Sequence, residues 1–493
     1  MTVLPTCPVL RYAHVGHFPS AIFHPPFPPY AKEKVLPALP SEIFKAYDIR
    51  GIVGKTLTAN IVEQIGHAIG SEAVTRQQTR ICIGRDGRLS GPDLASALAR
   101  GIQKAGIDVI DLGMVTTPMT YFAAYQLGSN SAVMVTGSHN PPDYNGLKMV
   151  LGGETLSADT IQALRIRLEK GDLVNGQGTY SQHDIATEYI DRIASDVKLA
   201  RPMKIIVDAG NGIPGAFAPA LFRRLGCEVE EMFCEVDGNF PNHHPDPSQP
   251  KNLVDLIARL KTSTAEIGLA FDGDGDRLGV VTKDGQIIFP DRQLMLFADD
   301  VLSRNPGAEV IFDVKSTRKL FGWIRERGGK PTLWKTGHSF IKAKMKETGA
   351  LLAGEMSGHV FFKERWYGFD DGLYAGTRLL EYLSRQADIN ATLHSLPDTV
   401  NTPELNITLP EGEHFRLMAQ LQKDARFPDA QDVITIDGLR VEYADGFGLA
   451  RPSNTTPVIV LRFEADTTEG LKRIQDDFRR VLLEAAPDLT LPF

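Results

Sequence analysis

One pattern occurs three times in this chain: an amphipathic helix, a glycine stop and a short strand. The copies are "LASALARGIQKAGIDVIDLG" (94–113), "FAPALFRRLGCEVEEMF" (217–233) and "KLFGWIRERGGKPTLWKTG" (319–337). Each helix ends in basic residues with glycine just beyond, an arrangement that complements the exposed carbonyls of a helix C-terminus. The copies recur at intervals of roughly a hundred residues, too long for a solenoid repeat. The spacing predicts three similar α/β domains in tandem. The last part of the chain reads differently. "DVITIDGLRVEYADGFGLARPSNTTPVIVLRFEAD" (432–466) predicts two or three short strands, with turns at Asp437-Gly438 and Asp445-Gly446. Helical segments flank it, which predicts a small α+β domain. The domain limits expected are 41–184, 185–286, 287–400 and 401–493, after an arm over 1–40.

That arm is rich in proline ("FHPPFPPY", 23–30) and has no helical or strand period. Pro19, Pro25 and Pro26 interrupt any apolar run of the kind a signal peptide needs, so the arm reads as a mobile extension. A chain of 493 residues with 42% hydrophobic content can bury several cores. Its net charge of −8 offers no general attraction to nucleic acid or an anionic membrane. Any bound anion must therefore be held by local positive charge. No stretch reaches the ~18 uninterrupted apolar residues of a membrane span. The four cysteines, Cys7, Cys82, Cys227 and Cys234, form neither a zinc pattern nor a dense disulfide framework. A cytoplasmic protein is expected.

The motif richest in chemistry is "GLAFDGDGDRLGVV" (268–281). Asp272, Asp274 and Asp276 alternate with glycines between two apolar strands. Three carboxylates so close repel one another, and a hard divalent cation resolves the conflict with oxygen ligands. An EF-hand is excluded, because its Gly and Glu positions fall on Arg277 and Lys283. A second motif, "VMVTGSHNPPDYNGLKMV" (133–150), sets Ser138 beside His139 at the end of an apolar strand. The flanking Thr136 and Asn140 rule out a hydrolase elbow. "GKT" at 54–56 is no Walker loop either, since Ile49 stands where the first glycine belongs. A serine near a metal-bound phosphate reads instead as a phosphate carrier. In "GEMSGH" (354–359), Glu355 and Ser357 alternate and can face one side of an extended loop toward vicinal hydroxyls. In "RPSNTTP" (451–457), Arg451, Ser453, Asn454 and Thr455 offer a donor set suited to a phosphate monoester. Arg50, Lys148, Arg277 and Lys315 stand at loop-like places, and His338 reads as a loop histidine.

Together "TGSHNPP", "DGDGDR", "GEMSGH" and "RPSNTTP", one per domain, resemble the α-D-phosphohexomutase superfamily from about residue 41 to the C-terminus. "GEMSGH" with "SNTTP" resembles the bacterial phosphomannomutase/phosphoglucomutase group, while the arm lies outside the pattern. The resemblance implies four domains around a central cleft. It implies that Ser138 carries a phosphoryl group and that Mg²⁺ is held by Asp272, Asp274, Asp276 and the phosphoserine. Hexose 1- and 6-phosphates of glucose and mannose then interconvert through a bound hexose 1,6-bisphosphate. Tyr47, Arg50, His139, Lys148 and Arg277 would surround the transfer site. Lys315 and His338 would contact substrate, with His338 a proton acceptor. Glu355, Met356, Ser357, Gly358 and His359 would bind the sugar, and Arg451, Ser453, Asn454 and Thr455 the distal phosphate. Partners other than hexose phosphates are not expected, and a monomer is. A metal-dependent sugar phosphatase stays open, as does a non-catalytic sugar-phosphate binder, although a binder has no need of Ser138. A phosphoglucosamine mutase is the nearer rival.

Overall fold

The computed structural model describes residues 39–493, so most of the arm expected over 1–40 lies outside the described residues. Four sheets follow one another along the chain. The first three share one core. In the first, Arg80–Arg85 lies between two parallel neighbours, Asp108–Met114 and Ala132–Val135. The second repeats this with Lys204–Asp208 between Glu228–Met232 and Ile267–Phe271. The third does so with Glu309–Asp313 between Lys330–Trp334 and Leu352–Gly354. In all three, the last of these strands turns back into an antiparallel neighbour: Tyr144–Leu151, Leu278–Thr282 and Val360–Phe362 respectively. The helix–glycine–strand pattern is the connection from the middle strand of each core to one of its neighbours. Helices Gly91–Lys104, Ala218–Arg224 and Lys319–Glu326 make that crossing.

The fourth sheet is antiparallel throughout. Four strands, Asp432–Ile434, Leu439–Glu442, Gly446–Pro452 and Val458–Ala465, occupy the segment where two or three are expected. Leu405–Thr408 and Val400–Asn401 pair with the last of them. Helices Glu413–Asp424 and Thr468–Ala485 pack on this sheet. Ile287–Ile288 bonds to the second sheet, and Val400–Asn401 to the fourth.

A continuous apolar core runs through the first three units, from Cys82 to Leu396. The fourth has its own, from Ile407 to Leu482. Cys82, Cys227 and Cys234 are free thiols. No helix among the described residues is long and apolar enough to cross a membrane.

Candidate active site

The turn from parallel strand to antiparallel partner is the same element in each of the three units, and each turn carries one of the motifs. Residues 136–143 hold Ser138, 272–277 hold the three aspartates, and 355–359 hold Glu355 and Ser357. The three turns meet. Ser138 Oγ donates to Asp272 Oδ2 at 3.0 Å. A Cβ on Gly273 would come within 2.4 Å of the Ser138 carbonyl oxygen, so only glycine permits this approach. Arg277 and His359 form an antiparallel bridge between the second and third turns.

Ser138 adopts φ +48°, a left-handed conformation that a non-glycine residue holds only when its surroundings enforce it. The enforcing group is Arg88. Its buried guanidinium donates to the carbonyls of Ser138 (2.8 Å), Asn140 (2.7 Å), Pro141 (2.6 Å) and Tyr144 (2.9 Å). Asp86 sits under Arg88 and accepts from Thr136 Oγ1 at 2.7 Å. A Cβ on Gly137 would lie 2.3 Å from Arg88 Cζ, so that position has room for hydrogen alone. Sequence reading missed Arg88; its only trace is the glycine-flanked turn "GRDGRLSG" (84–91).

Asp272, Asp274 and Asp276 are fully buried, with ligand oxygens within 4.8 Å of one another. Lys148 Nζ donates to Asp274 Oδ2 (2.7 Å) and Asp276 Oδ2 (2.5 Å). Burial works against the Lys148 charge, but the two carboxylates outweigh it and keep the amine protonated. Burial, then Asp276 and Asp274, push Asp272 well above the usual carboxylate range. Oδ1 of Asp274 is buried without a partner among the described residues, and Oδ1 of Asp276 faces His359 Nε2 at 3.3 Å. Lys148, Arg277 and His359 offset the charge of the three carboxylates, and a phosphate on Ser138 would add about −1.5 to −2 charge that these groups do not balance. These carboxylates therefore fit a divalent cation. Asp276, His359 and Asp370 also converge. Burial opposes a charge on His359, yet Asp276 pushes its imidazole up to about 9, which makes this trio a buried ion-pair cluster.

The turns open on a cleft of about 890 Å³ lined by all four units. Tyr47, Arg50, Ser138, His139, Lys148, Arg277, Lys315, His338, Glu355, Met356, Ser357, Gly358, His359, Arg451, Ser453, Asn454 and Thr455 all line it. Four of these sit on elements other than those expected. Arg50 lies on strand Ile49–Ile52 and Lys148 on its antiparallel neighbour Tyr144–Leu151, not on loops. Arg451 lies at the end of Gly446–Pro452. His338 opens helix His338–Thr348 and is buried, because Gly337 (φ +134°) turns the chain into the cleft wall. "GEMSGH" is a tight turn rather than an extended loop, since Gly358 N donates to Glu355 O at 3.0 Å. Glu355 and Ser357 still converge, at 3.1 and 3.0 Å from His359 Nδ1.

Burial holds His338 well below the usual imidazole range, with Lys342 and Lys148 adding to the effect. Burial, then Arg277 and Arg50, depress His139 likewise. Burial pushes the Tyr47 phenol up to about 12. Its hydroxyl donates to Thr336 O at 3.0 Å and accepts from Asn454, joining the first unit to the third and fourth. Arg451 Nε donates to Asp437 at 2.9 Å, and Lys315 pairs with Glu404 at 3.0 Å. Asp246, 3.7 Å from His139, also lines the cleft and was not foreseen. Its trace is the proline-punctuated "PNHHPDPSQP" (241–250).

Three repeats of one α/β unit and an antiparallel fourth unit, converging on a cleft that holds a serine against three aspartates, define the α-D-phosphohexomutase class. The four domain models of phosphoglucomutase/phosphomannomutase match in order: domain I over 41–175, domain II over 187–285, domain III over 289–400 and the C-terminal domain over 404–481. A phosphoglucomutase of Neisseria meningitidis is 62% identical over 454 residues, covering 92% of this chain and 98% of that one. A phosphomannomutase/phosphoglucomutase of Pseudomonas aeruginosa is 58% identical over 458 residues, 93% of this chain and 99% of its own. The crystal structure of a phosphoglucomutase/phosphomannomutase family protein from Burkholderia thailandensis superposes with a TM-score of 0.88 at 60% identity, covering 92% of this chain and 99% of that one. The chain belongs to the phosphoglucomutase/phosphomannomutase family.

Proposed function

We infer that this enzyme is a phosphosugar mutase that interconverts hexose 1-phosphate and hexose 6-phosphate, for glucose and for mannose. The observation that carries the reading is Ser138 Oγ held 3.0 Å from Asp272 at the floor of a cleft ringed by cations. Phosphorylated Ser138 gives its phosphoryl group to the free hydroxyl of a bound hexose phosphate. The P–Oγ bond breaks and a new P–O ester bond forms. His338, in the cleft wall, takes the hydroxyl proton from the sugar, and a proton passed on to the departing Ser138 oxygen restores the serine hydroxyl and leaves the imidazole neutral. The product is a hexose 1,6-bisphosphate, and its other phosphate returns to Ser138 after the intermediate turns over. Arg50, Lys148 and Arg277 surround the reacting end, and His139 lines it as a neutral group. Glu355, Met356, Ser357, Gly358 and His359 hold the sugar, Lys315 contacts it, and Arg451, Ser453, Asn454 and Thr455 hold the distal phosphate. Asp272, Asp274, Asp276 and phosphorylated Ser138 would hold the cation, which we propose is Mg²⁺ and which neutralises charge on the phosphoryl group when bound. Walls from four units exclude water and protect the phosphoserine.

Intact mass with and without phosphatase, and peptide mapping, locate the phosphate. Ser138→Ala loses it and nearly all turnover on glucose 1-phosphate; a phosphate elsewhere with normal turnover would sink the reading. Glucose and mannose differ at C2, whereas the proposed sugar grip reads other hydroxyls. The two 1-phosphates should therefore differ in kcat/KM by far less than the roughly four orders of magnitude of a site built to read one hydroxyl. Turnover of an amino-sugar phosphate in preference to both would favour the phosphoglucosamine mutase, and release of free phosphate the phosphatase.

A further inference from the structure

A second cavity, of about 390 Å³, lies between the first and third units, apart from the cleft. Helix Thr117–Gln126 supplies Tyr121 and Tyr125 from one side. Helix His338–Thr348 supplies Lys342 and Lys346 from the other, and segment 363–369 adds Lys363, Tyr367 and Phe369. No carboxylate lines the cavity among the described residues. Two exposed lysines with no carboxylate in the cavity lining stand out in a chain of net charge −8, where the surface as a whole repels anions. Lys342 is tied to Asp370 at 2.9 Å, with its ammonium 4.5 Å from the Tyr121 ring centroid. Lys346 and Lys363 are exposed at the rim. The aromatic wall is ordered. Tyr367 and Phe369 are coplanar in orientation, and Tyr125 stacks on Tyr367 at 5.0 Å between centroids. Tyr125 is 46% exposed, a large aromatic surface left to a ligand.

We propose that this cavity binds a planar aromatic ring carrying a phosphate, of the size of a nucleoside monophosphate. Flat aromatic faces accept a stacked base whatever its identity. Lysine ammoniums at the rim meet a phosphate as mobile point charges. The volume falls within the roughly 300–1,000 Å³ of small-ligand sites. A hexose phosphate has no ring to stack and belongs in the cleft; a nucleotide uses both features of this cavity.

The test is direct binding to the full chain by calorimetry, with AMP as the probe. Adenosine and inorganic phosphate separate the ring from the charge. AMP should bind saturably and about tenfold or more tighter than either fragment, since stacking and charge act together. Saturating glucose 6-phosphate should leave that binding intact. The double variant Lys346→Glu/Lys363→Glu should weaken AMP about tenfold or more by charge reversal, with turnover on glucose 1-phosphate in the absence of nucleotide unchanged. Tyr125→Ala should remove the advantage of AMP over phosphate. The proposal is overturned if AMP does not bind at millimolar concentration. It is equally overturned if glucose 6-phosphate displaces AMP, or if the double variant binds it like the parent. Because the readout is binding, its failure says nothing against the mutase reading, nor the reverse.

Discussion

At the scale of single residues, the chemistry depends on one arginine that does not itself line the cleft but holds residues that do. Arg88 converts four backbone carbonyls into a mould for the Ser138 turn and stabilises a φ that serine alone would avoid. Removing one partner of a buried charge pair typically costs about 3–5 kcal/mol. Arg88→Ala should therefore lower the melting temperature. It should also lower kcat on glucose 1-phosphate by about a hundredfold, the penalty of a catalytic atom misplaced by an ångström. Gly137→Ala should reproduce the kinetic loss, because its Cβ would collide with the guanidinium. Stopped-flow turnover of both variants beside circular dichroism checks this; a folded Gly137→Ala protein with parental kcat would mean that Arg88 does not position Ser138.

At the scale of elements, one turn has been used three times. The same strand-to-strand reversal holds the serine, the aspartates and the GEMSGH residues, and the helix after the last reversal reaches back to the aspartates. Helix Gly372–Leu383 is capped by Asp371, which accepts from Tyr374 N (2.9 Å), Tyr189 Oη (2.8 Å) and Trp366 Nε1 (3.2 Å). Its first residue, Gly372, donates to Gly275 O in the aspartate turn at 3.1 Å. Burial pushes the Asp371 carboxyl up to about 7, against these hydrogen bonds. The folded state then keeps a proton that the unfolded chain has lost above pH 3.8. Through this group, stability falls as pH rises toward 7. Asp371→Asn retains an acceptor for the cap and has nothing to ionise. Its melting temperature relative to the parent should rise between pH 5 and pH 7.5 in scanning calorimetry; a constant difference would show that Asp371 titrates normally.

At the scale of the whole molecule, the proposed function has the two ends of a substrate held by units at opposite ends of the sequence. Ser138 belongs to the first and the Arg451 loop to the fourth, whose core is separate. The first meets the fourth through a polar contact, Tyr47 with Asn454, and the third meets it through Lys315 with Glu404 and a small apolar cluster of Val314, Phe447 and Leu449. The guanidinium of Arg451 pairs with Asp437, and in the proposed function it exchanges that carboxylate for a phosphate. A charge-assisted hydrogen bond is worth about 1.5–3 kcal/mol. Arg451→Ala should thus cut kcat/KM by about 10–150-fold, with phosphate on Ser138 untouched in the resting enzyme. Steady-state kinetics and intact mass on one preparation decide it, and unchanged kinetics would move the phosphate grip to another loop.

What the sequence by itself determined was local. Helix ends, glycine turns, the repeated crossover and the four polar motifs depend on backbone preferences within a few residues, so they can be read in order along the chain. What only the tertiary structure decided was the partnership of groups far apart. Lys148 reads as a solvated lysine, yet it is buried between two aspartates more than a hundred positions away. His338 and His359 look alike in sequence, but one is held neutral by burial and nearby lysines while the other is charged by Asp276. Arg88 binds a turn 50 residues downstream. Charge state and side-chain position follow distance and burial in three dimensions, and neither quantity exists until the units have packed.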